Sequence, residues 1–391
     1  MTNRTLDCSE LDKIMGIPIQ PGRLHEPVSG TDIKRWAQAM RYPNRLHYDP
    51  SFASESRYGK LVAPASFPVA CDDGHGTAPS CIGLVPNSHM IFGGDEWWFT
   101  ETRVHPGDMI ENERIPFDYV VKETSFAGPT CFQRGDNFYR NQRGELISKQ
   151  RSTSIRYNPE WARENISETE TEEPVWTRAQ LEELEDRKYE WIKELHKLGH
   201  SERFIDDINV GDKLPTRVIG PHSIASFTTE WRAYLFTIWC GVIRRTDLDM
   251  EALGFTADMA GKEQDPVLEL DNPELTDGAY IGPSRGHLFP EWARHIGMPR
   301  GYGYGASMGA WILDYFSGWA GEWGQLVHVN ASYRGPALTG DITIMDAEVI
   351  EKSIDEQGRH LAHLKFKMTT QTGKVMATAT GEVALPKREG S

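Results

Sequence analysis

Two well-separated stretches of the chain run through the same order of turns and strands. That duplication limits the possible folds more than any single motif does. In the first, "RVHPGDMIENERIPFDYVVKE" is followed by "NQRGELISKQRSTSIRYN"; in the second, "PALTGDITIMDAEVIEKS" is followed by "TQTGKVMATATGEVALP". Each opens a strand at a Gly-Asp turn (Gly107-Asp108, Gly340-Asp341), passes through a hairpin, and restarts a Thr/Ser/Val-rich strand at a glycine, Gly144 or Gly373. Within these runs apolar and polar side chains alternate every second residue, the pattern of strands with one covered face. The repeated order predicts a duplicated domain, each copy about 150 residues long.

Ahead of each strand block lies a segment rich in small residues. In the second half it reads "GYGASMGAWILDYFSGWAG": Gly305, Ala306, Ser307 and Gly309 lead into Trp311, Ile312, Leu313, Phe316 and Trp319. A helix apolar on nearly every side is a buried one, so each repeat is expected to wrap an antiparallel sheet around a long central helix. Between the repeats, "ISETETEEPVW" has the composition of a solvated linker. It runs into a helical stretch with Leu181, Leu184, Trp191, Leu195 and Leu198 on one stripe, Thr177 as N-cap and Gly199 as stop. The expected organisation is residues 1–160, a connector over 161–203, and residues 204–391.

Bulk properties exclude several classes. The 391 residues carry a formal charge of −15 with no basic stripe, which argues against a nucleic-acid partner. There is no run of apolar residues long enough to span a membrane and no secretory signal. Five scattered cysteines without CxxC spacing (Cys8, Cys71, Cys81, Cys131, Cys240) fit a reducing, cytoplasmic setting. "CDDGHGTAPSC" matches no compact zinc pattern and reads as a Gly/Pro-rich loop. "GYGYGASMG" lacks the glycine order and the preceding strand of a dinucleotide site. No metal or cofactor is expected. Arg244–Asp247 and Met298–Gly305 carry the arginines from which a local anion patch could be built, Arg300 among them.

The densest polar motif is "NRLHYDPSFA", followed by "YGKLVAPASF". It resembles the signature of MaoC-like (R)-specific enoyl-CoA hydratases and dehydratases, which have the hotdog fold. The chain keeps Asn44, His47, Asp49, Ala53 and Gly59, with Pro64-Ala65 at the expected helix start; Tyr42 stands where the family has its catalytic aspartate, and Arg45 where it has a proline. A fainter echo, "GPSRGHLFPEWARHIGMPRGYGYGASM", places His287 and Ala293 at the spacing of His47 and Ala53, with Gly282 in the aspartate position and Ser284 in the asparagine position. The resemblance implies an α+β double hotdog, a homo-oligomer, and a hydro-lyase acting on an acyl thioester.

Adding water to an α,β-unsaturated thioester needs a base for the attacking water, an acid for Cα, and donors for the enolate-like oxygen. His47 suits acid–base work, Asn44 could orient it or a water, and Tyr42, protonated at neutral pH, could donate but not act as a carboxylate base. Asp49 reads equally as a helper of His47 and as a helix N-cap. On this reading Pro64, Ala65 and Gly305 form carbonyl-binding helix starts, and His287 and Arg300 line the acyl site of a second, non-catalytic repeat. Two rivals stand beside this reading. One is a hotdog thioesterase using Asp49 or Glu291; the other is a binding subunit, or a lyase for a non-CoA substrate, since neither repeat has the aspartate.

Overall fold

The computed structural model of the chain describes residues 4–23, 26–71, 76–166, 170–235 and 285–388. Arg244–Asp247, Cys240, Gly282 and Ser284 lie outside the described residues. The strands are β1 (Ile19–Arg23), β2 (His89–Phe99), β3 (Ile110–Thr124), β4 (Gly128–Asn141), β5 (Leu146–Tyr157), β6 (Arg217–Ile219), β7 (Gln325–Tyr333), β8 (Thr343–Ile354), β9 (His360–Thr369) and β10 (Val375–Leu385). They form one antiparallel sheet in the order β1-β3-β4-β5-β2-β7-β10-β9-β8-β6. Read outward from the middle, the two halves have the same strand order, so the duplication seen in the sequence is a duplication of topology. Gly107 and Gly340, with φ of 96° and 82°, make the matching turns before β3 and β8. The halves meet at β2 and β7, paired from Gly94↔Ser332 to Trp98↔His328.

The helices are α1 (Gly30–Ala39), α2 (Pro50–Glu55), α3 (Ala78–Cys81), α4 (Pro159–Arg163), α5 (Arg178–Leu198), α6 (Ile224–Leu235), α7 (Arg285–Leu288), α8 (Pro290–His295) and α9 (Gly305–Ala320). From Ser307 to Ala320 every residue of α9 except Ser317 is buried. The helix packs on β7 and β10 of its own half and on β2 of the other. Its small residues set that closeness: a Cβ on Gly309 would lie 2.7 Å from Asp95 of β2. None of the described helices is long and apolar enough to cross a membrane.

The first half departs from the expected plan. Among its described residues no long helix lies in the sheet; in its place are a 3-10 turn, Phe67–Cys71, and the four-residue α3. Pro64, Pro68 and Pro79 explain this, because proline removes a helical donor and clashes with the preceding turn. The sheet face that a helix would have covered is correspondingly polar. Gln133, Asn137, Gln150, Ser152 and Ser154 are all buried there. Asn137 donates to Gly76 O (2.7 Å), Gln133 donates to Ile82 O (2.8 Å), and the Ser80 and Ser154 hydroxyls lie 3.0 Å apart.

The connector helix α5 starts at a capping box in which Thr177 and Gln180 cap each other, and it stops at Gly199. Its Trp191 ring stacks under the Arg217 guanidinium at 4.6 Å. That arginine is fully buried and donates to the carbonyls of Met40, Arg41 and Trp311. The end of α5 is fastened to the first half by His196, whose Nε2 lies 2.7 Å from Pro43 O.

Candidate active site

Among the described residues no long helix fills the space between the first-half sheet and the start of α9. A cavity of about 440 Å³ fills it, bounded by Phe92, Phe132 and Ile155 from the first half and by His287, Gly305 and Ala306 from the second. Tyr304 is the N-cap of α9 and makes no side-chain cap, while its carbonyl accepts from Ser307 and Met308. The amides of Gly305 and Ala306 have no carbonyl one turn earlier to accept them, and both residues, at the positive end of the helix, line the cavity. Gly305 is required here: a Cβ would fall 2.7 Å from Phe92.

His287 is buried beside this helix end. Its Nδ1 lies 2.6 Å from Tyr302 O, and its ring stacks on Tyr304 at 4.0 Å and leans on Tyr302 at 4.1 Å. A ring nitrogen facing a carbonyl carries the proton, which leaves Nε2 as the basic nitrogen. At the mouth stand Arg334 and Lys374, the latter paired with Glu170.

The first-half motif has the same backbone geometry and a different setting. His47 Nδ1 lies 2.6 Å from Val62 O, fifteen residues on, as Tyr302 is fifteen residues on from His287. Yet His47 does not line the cavity, and its Nε2 is buried without a partner. Burial pushes its imidazole down to about 4, so it is neutral. Tyr42 packs on it at 4.9 Å, is pushed up by burial, and lies 3.2 Å from Ser317 Oγ of α9, while Asn44 donates to the Tyr42 hydroxyl (3.3 Å) and caps the following turn. The second half of α9 and helix α5 close over this cluster.

The remaining expected site residues fall elsewhere. Asp49 is the N-cap of α2 and pairs with Arg45 at 2.7 Å on the surface; the Arg45 hydrogen bond first, then the Phe52 amide, hold its carboxyl below the usual range. Pro64 and Ala65 open the 3-10 turn rather than a long helix, and the neighbouring Ser66 donates to Asp314 of α9 (2.9 Å). Arg300, expected at the substrate, is a buried clip: it donates to Thr339 O (2.7 Å) and to Glu170 O and Glu172 O, and it pairs with Asp341 at 2.8 Å. With those bonds made, it ties the acidic linker to the second half. Glu291 is exposed on α8 and, like Asp49, does not line the cavity. Among the described residues no group of three or more His, Cys, Asp or Glu could hold a metal ion.

Sequence reasoning missed Phe92, Asp95 and Tyr333. A register shift in β2 between Phe92 and Gly94 turns Phe92 and Asp95 onto one face, both against α9. Asp95 is buried, accepts from Gln150 Nε2 (2.6 Å) and from Tyr333 OH (3.1 Å), and burial pushes its carboxyl up to about 7. The paired glycines "GG" before Asp95 were the available signal, since glycine inside a strand marks a bulge.

Comparison with known proteins agrees with this architecture. Residues 13–150 match the family model described as FAS1-like, dehydratase domain region. A UPF0336 protein of Thermobifida fusca (strain YX) is 30% identical over 90 residues, and the chain spans 59% of that relative's length. A solved MaoC-like dehydratase aligns over 96% of this chain and 100% of its own, with a TM-score of 0.57 and 14% identity. A conserved hypothetical protein of Mycobacterium tuberculosis, described as having a double hotdog fold, aligns over 96% and 98%, with a TM-score of 0.50 and 11% identity. The fold is that of the double hotdogs.

Proposed function

We propose that this chain, a MaoC-like double hotdog protein with a FAS1-like dehydratase region in its first half, adds or removes water at the double bond of an acyl thioester. The carrying observation is that His287 and the uncapped start of α9 face one cavity. The thioester carbonyl would lie on the amides of Gly305 and Ala306, which stabilise the negative charge growing on that oxygen. His287 Nε2 would take the proton from Cα in dehydration, or from water in hydration. The acyl group would run between Phe92, Phe132 and Ile155 into the space that the short helices of the first half leave, which favours a bulky group. Arg334 and Lys374 would meet the phosphates of the carrier. A thioesterase needs a carboxylate aimed at the thioester carbon, and neither Asp49 nor Glu291 lines this cavity.

The test is a panel of 2-enoyl-CoA esters, short, long and ring-bearing, with loss of the conjugated chromophore followed for the wild type and for His287→Gln. Hydration of at least one ester, reduced by two or more orders of magnitude in the variant, is expected. Release of free thiol without loss of the conjugated bond would replace this reading by the thioesterase.

A further inference from the structure

Resting on that reading, removal of water needs a second group, one that hands a proton to the departing hydroxyl. Position 282, where the resembling family carries its acid, is a glycine and has no proton to give. Among the described residues, the titratable side chains on the cavity wall narrow the choice. Glu170 is held by Lys374 at the mouth, Cys81 Sγ lies 3.0 Å from Ser154 Oγ, and Tyr302 and Tyr304 have their rings against His287. Tyr333 differs from these in being backed by a buried carboxyl group.

We propose that Tyr333 is the catalytic acid of this site and that Asp95, acting through it, is the positioning residue that returns its proton. Tyr333 OH is 3.1 Å from Asp95 Oδ2, and the contact sits on the first turns of α9, where a Cβ on Gly309 would be 2.6 Å from the phenol oxygen. The ring of Tyr333 is 5.6 Å from that of Phe92, which in turn touches Gly305 at the helix start. Tyr333 lines the same cavity as His287, with its ring one side chain away from the amides of Gly305 and Ala306.

The proton count closes. In dehydration His287 Nε2 takes the Cα proton, the C–H electron pair becomes the double bond, and the Cβ–O bond breaks. The departing hydroxyl takes the Tyr333 proton and leaves as water, and the phenol oxygen recovers a proton from the Asp95 carboxyl. The imidazolium then loses its proton to solvent, and Asp95 regains one through Tyr333. Asp95 must start protonated on Oδ2, so that the 3.1 Å hydrogen bond runs from the carboxyl to the phenol oxygen and leaves the phenol proton for the substrate, and its surroundings favour that. Gln150 from β5, Tyr333 from β7 and Trp97 from its own strand surround it, with Tyr139 behind Gln150, and the facing turns of α9 from Gly305 to Leu313 carry no charge. The carboxyl, pushed up to about 7 by burial, is protonated below that pH.

The experiment measures the pH dependence of kcat/KM on the enoyl-CoA panel and on the matching 3-hydroxyacyl-CoA esters, for wild type, Tyr333→Phe, Asp95→Asn and His287→Gln. Tyr333→Phe should lose on the order of 10²- to 10⁴-fold while keeping its circular dichroism and Tm. Wild-type dehydration should decline as pH rises through about 7, and Asp95→Asn, neutral at every pH, should lack that decline. A purely structural Asp95 would not move the profile. If His287→Gln is impaired while Tyr333→Phe stays within twofold of wild type, or if Asp95→Asn keeps the decline, this assignment is overturned and the site stands. If wild type turns over none of the esters, the reading of the site and this assignment fall together.

Discussion

Asp314, in the middle of α9, offers a test in which the sign of a stability change reverses with pH. Its Oδ1 accepts from Ser66 Oγ at 2.9 Å, and its Oδ2 is buried without a partner. Burial pushes the carboxyl up to about 7, against the pull of the Arg217 charge and of the Ser66 hydrogen bond. An unfolded aspartate titrates near 3.9. The folded state thus binds the proton more tightly, so raising the pH favours the unfolded chain. The loss begins near pH 4, grows by about 1.4 kcal/mol per pH unit, and is complete a little above pH 7, on the order of 4 kcal/mol in all. Asp314→Asn keeps the oxygen that accepts from Ser66 and replaces Oδ2 by a buried NH₂, at a pH-independent cost of about 1–3 kcal/mol. The variant should be the less stable protein near pH 4.5 and equal to wild type, or more stable by about 1–3 kcal/mol, near pH 8. Urea unfolding of both proteins across this range gives the difference, from which the titration of Asp95 cancels because both proteins share it. A wild-type-minus-variant difference that stays flat with pH would refute the burial argument.

Three further outcomes are expected. Gly309→Ala puts a Cβ 2.6 Å from Tyr333 OH and 2.7 Å from Asp95 Oδ2; it should destabilise by about 1–3 kcal/mol and lower turnover, read by thermal melting and kcat together. His47→Ala should destabilise the fold by about 1–3 kcal/mol through the lost Val62 contact and a small cavity, seen as a lower Tm, yet keep wild-type turnover per folded molecule; a hundredfold loss would return the chemistry to the first half. Arg300→Met should free the linker at Glu170–Glu172, seen as faster proteolysis there, and leave Asp341 without its buried partner, at about 3–5 kcal/mol; unchanged proteolysis would count against the clip.

Much of the architecture was legible because it rests on short-range periodicity. The Gly-Asp turns, the alternating strands, the all-round apolar face of α9 and the Thr177 and Gly199 ends of α5 are all local signals, and all are observed. What was not legible is set by packing between distant segments. His47 and His287 share a motif and a backbone contact, and only the tertiary structure separates them: α5 and the far half of α9 cover one, while a cavity lies beside the other. The prolines at positions 64, 68 and 79 carried that information. Phe92 and Asp95 were hidden differently. Simple alternation puts residues three apart on opposite faces, and the β2 bulge cancels it.

The seating of α9 across strands of both halves also has a consequence for how the chain is made. The inner face of β2, with Asp95 and Trp97, leaves the ribosome well before the helix that covers it; about two hundred residues separate Asp95 from Gly309, on the order of 10–40 s of synthesis. During that interval the first half holds a sheet with an unpaired β2 edge and an uncovered Asp95–Trp97 face, while its buried Gln133, Asn137 and Ser154 already have partners in Ile82, Gly76 and Ser80 of the same half. The polar part of the first-half sheet thus needs nothing from the second half, and what must wait for the rest of the chain is the strip of β2 under α9.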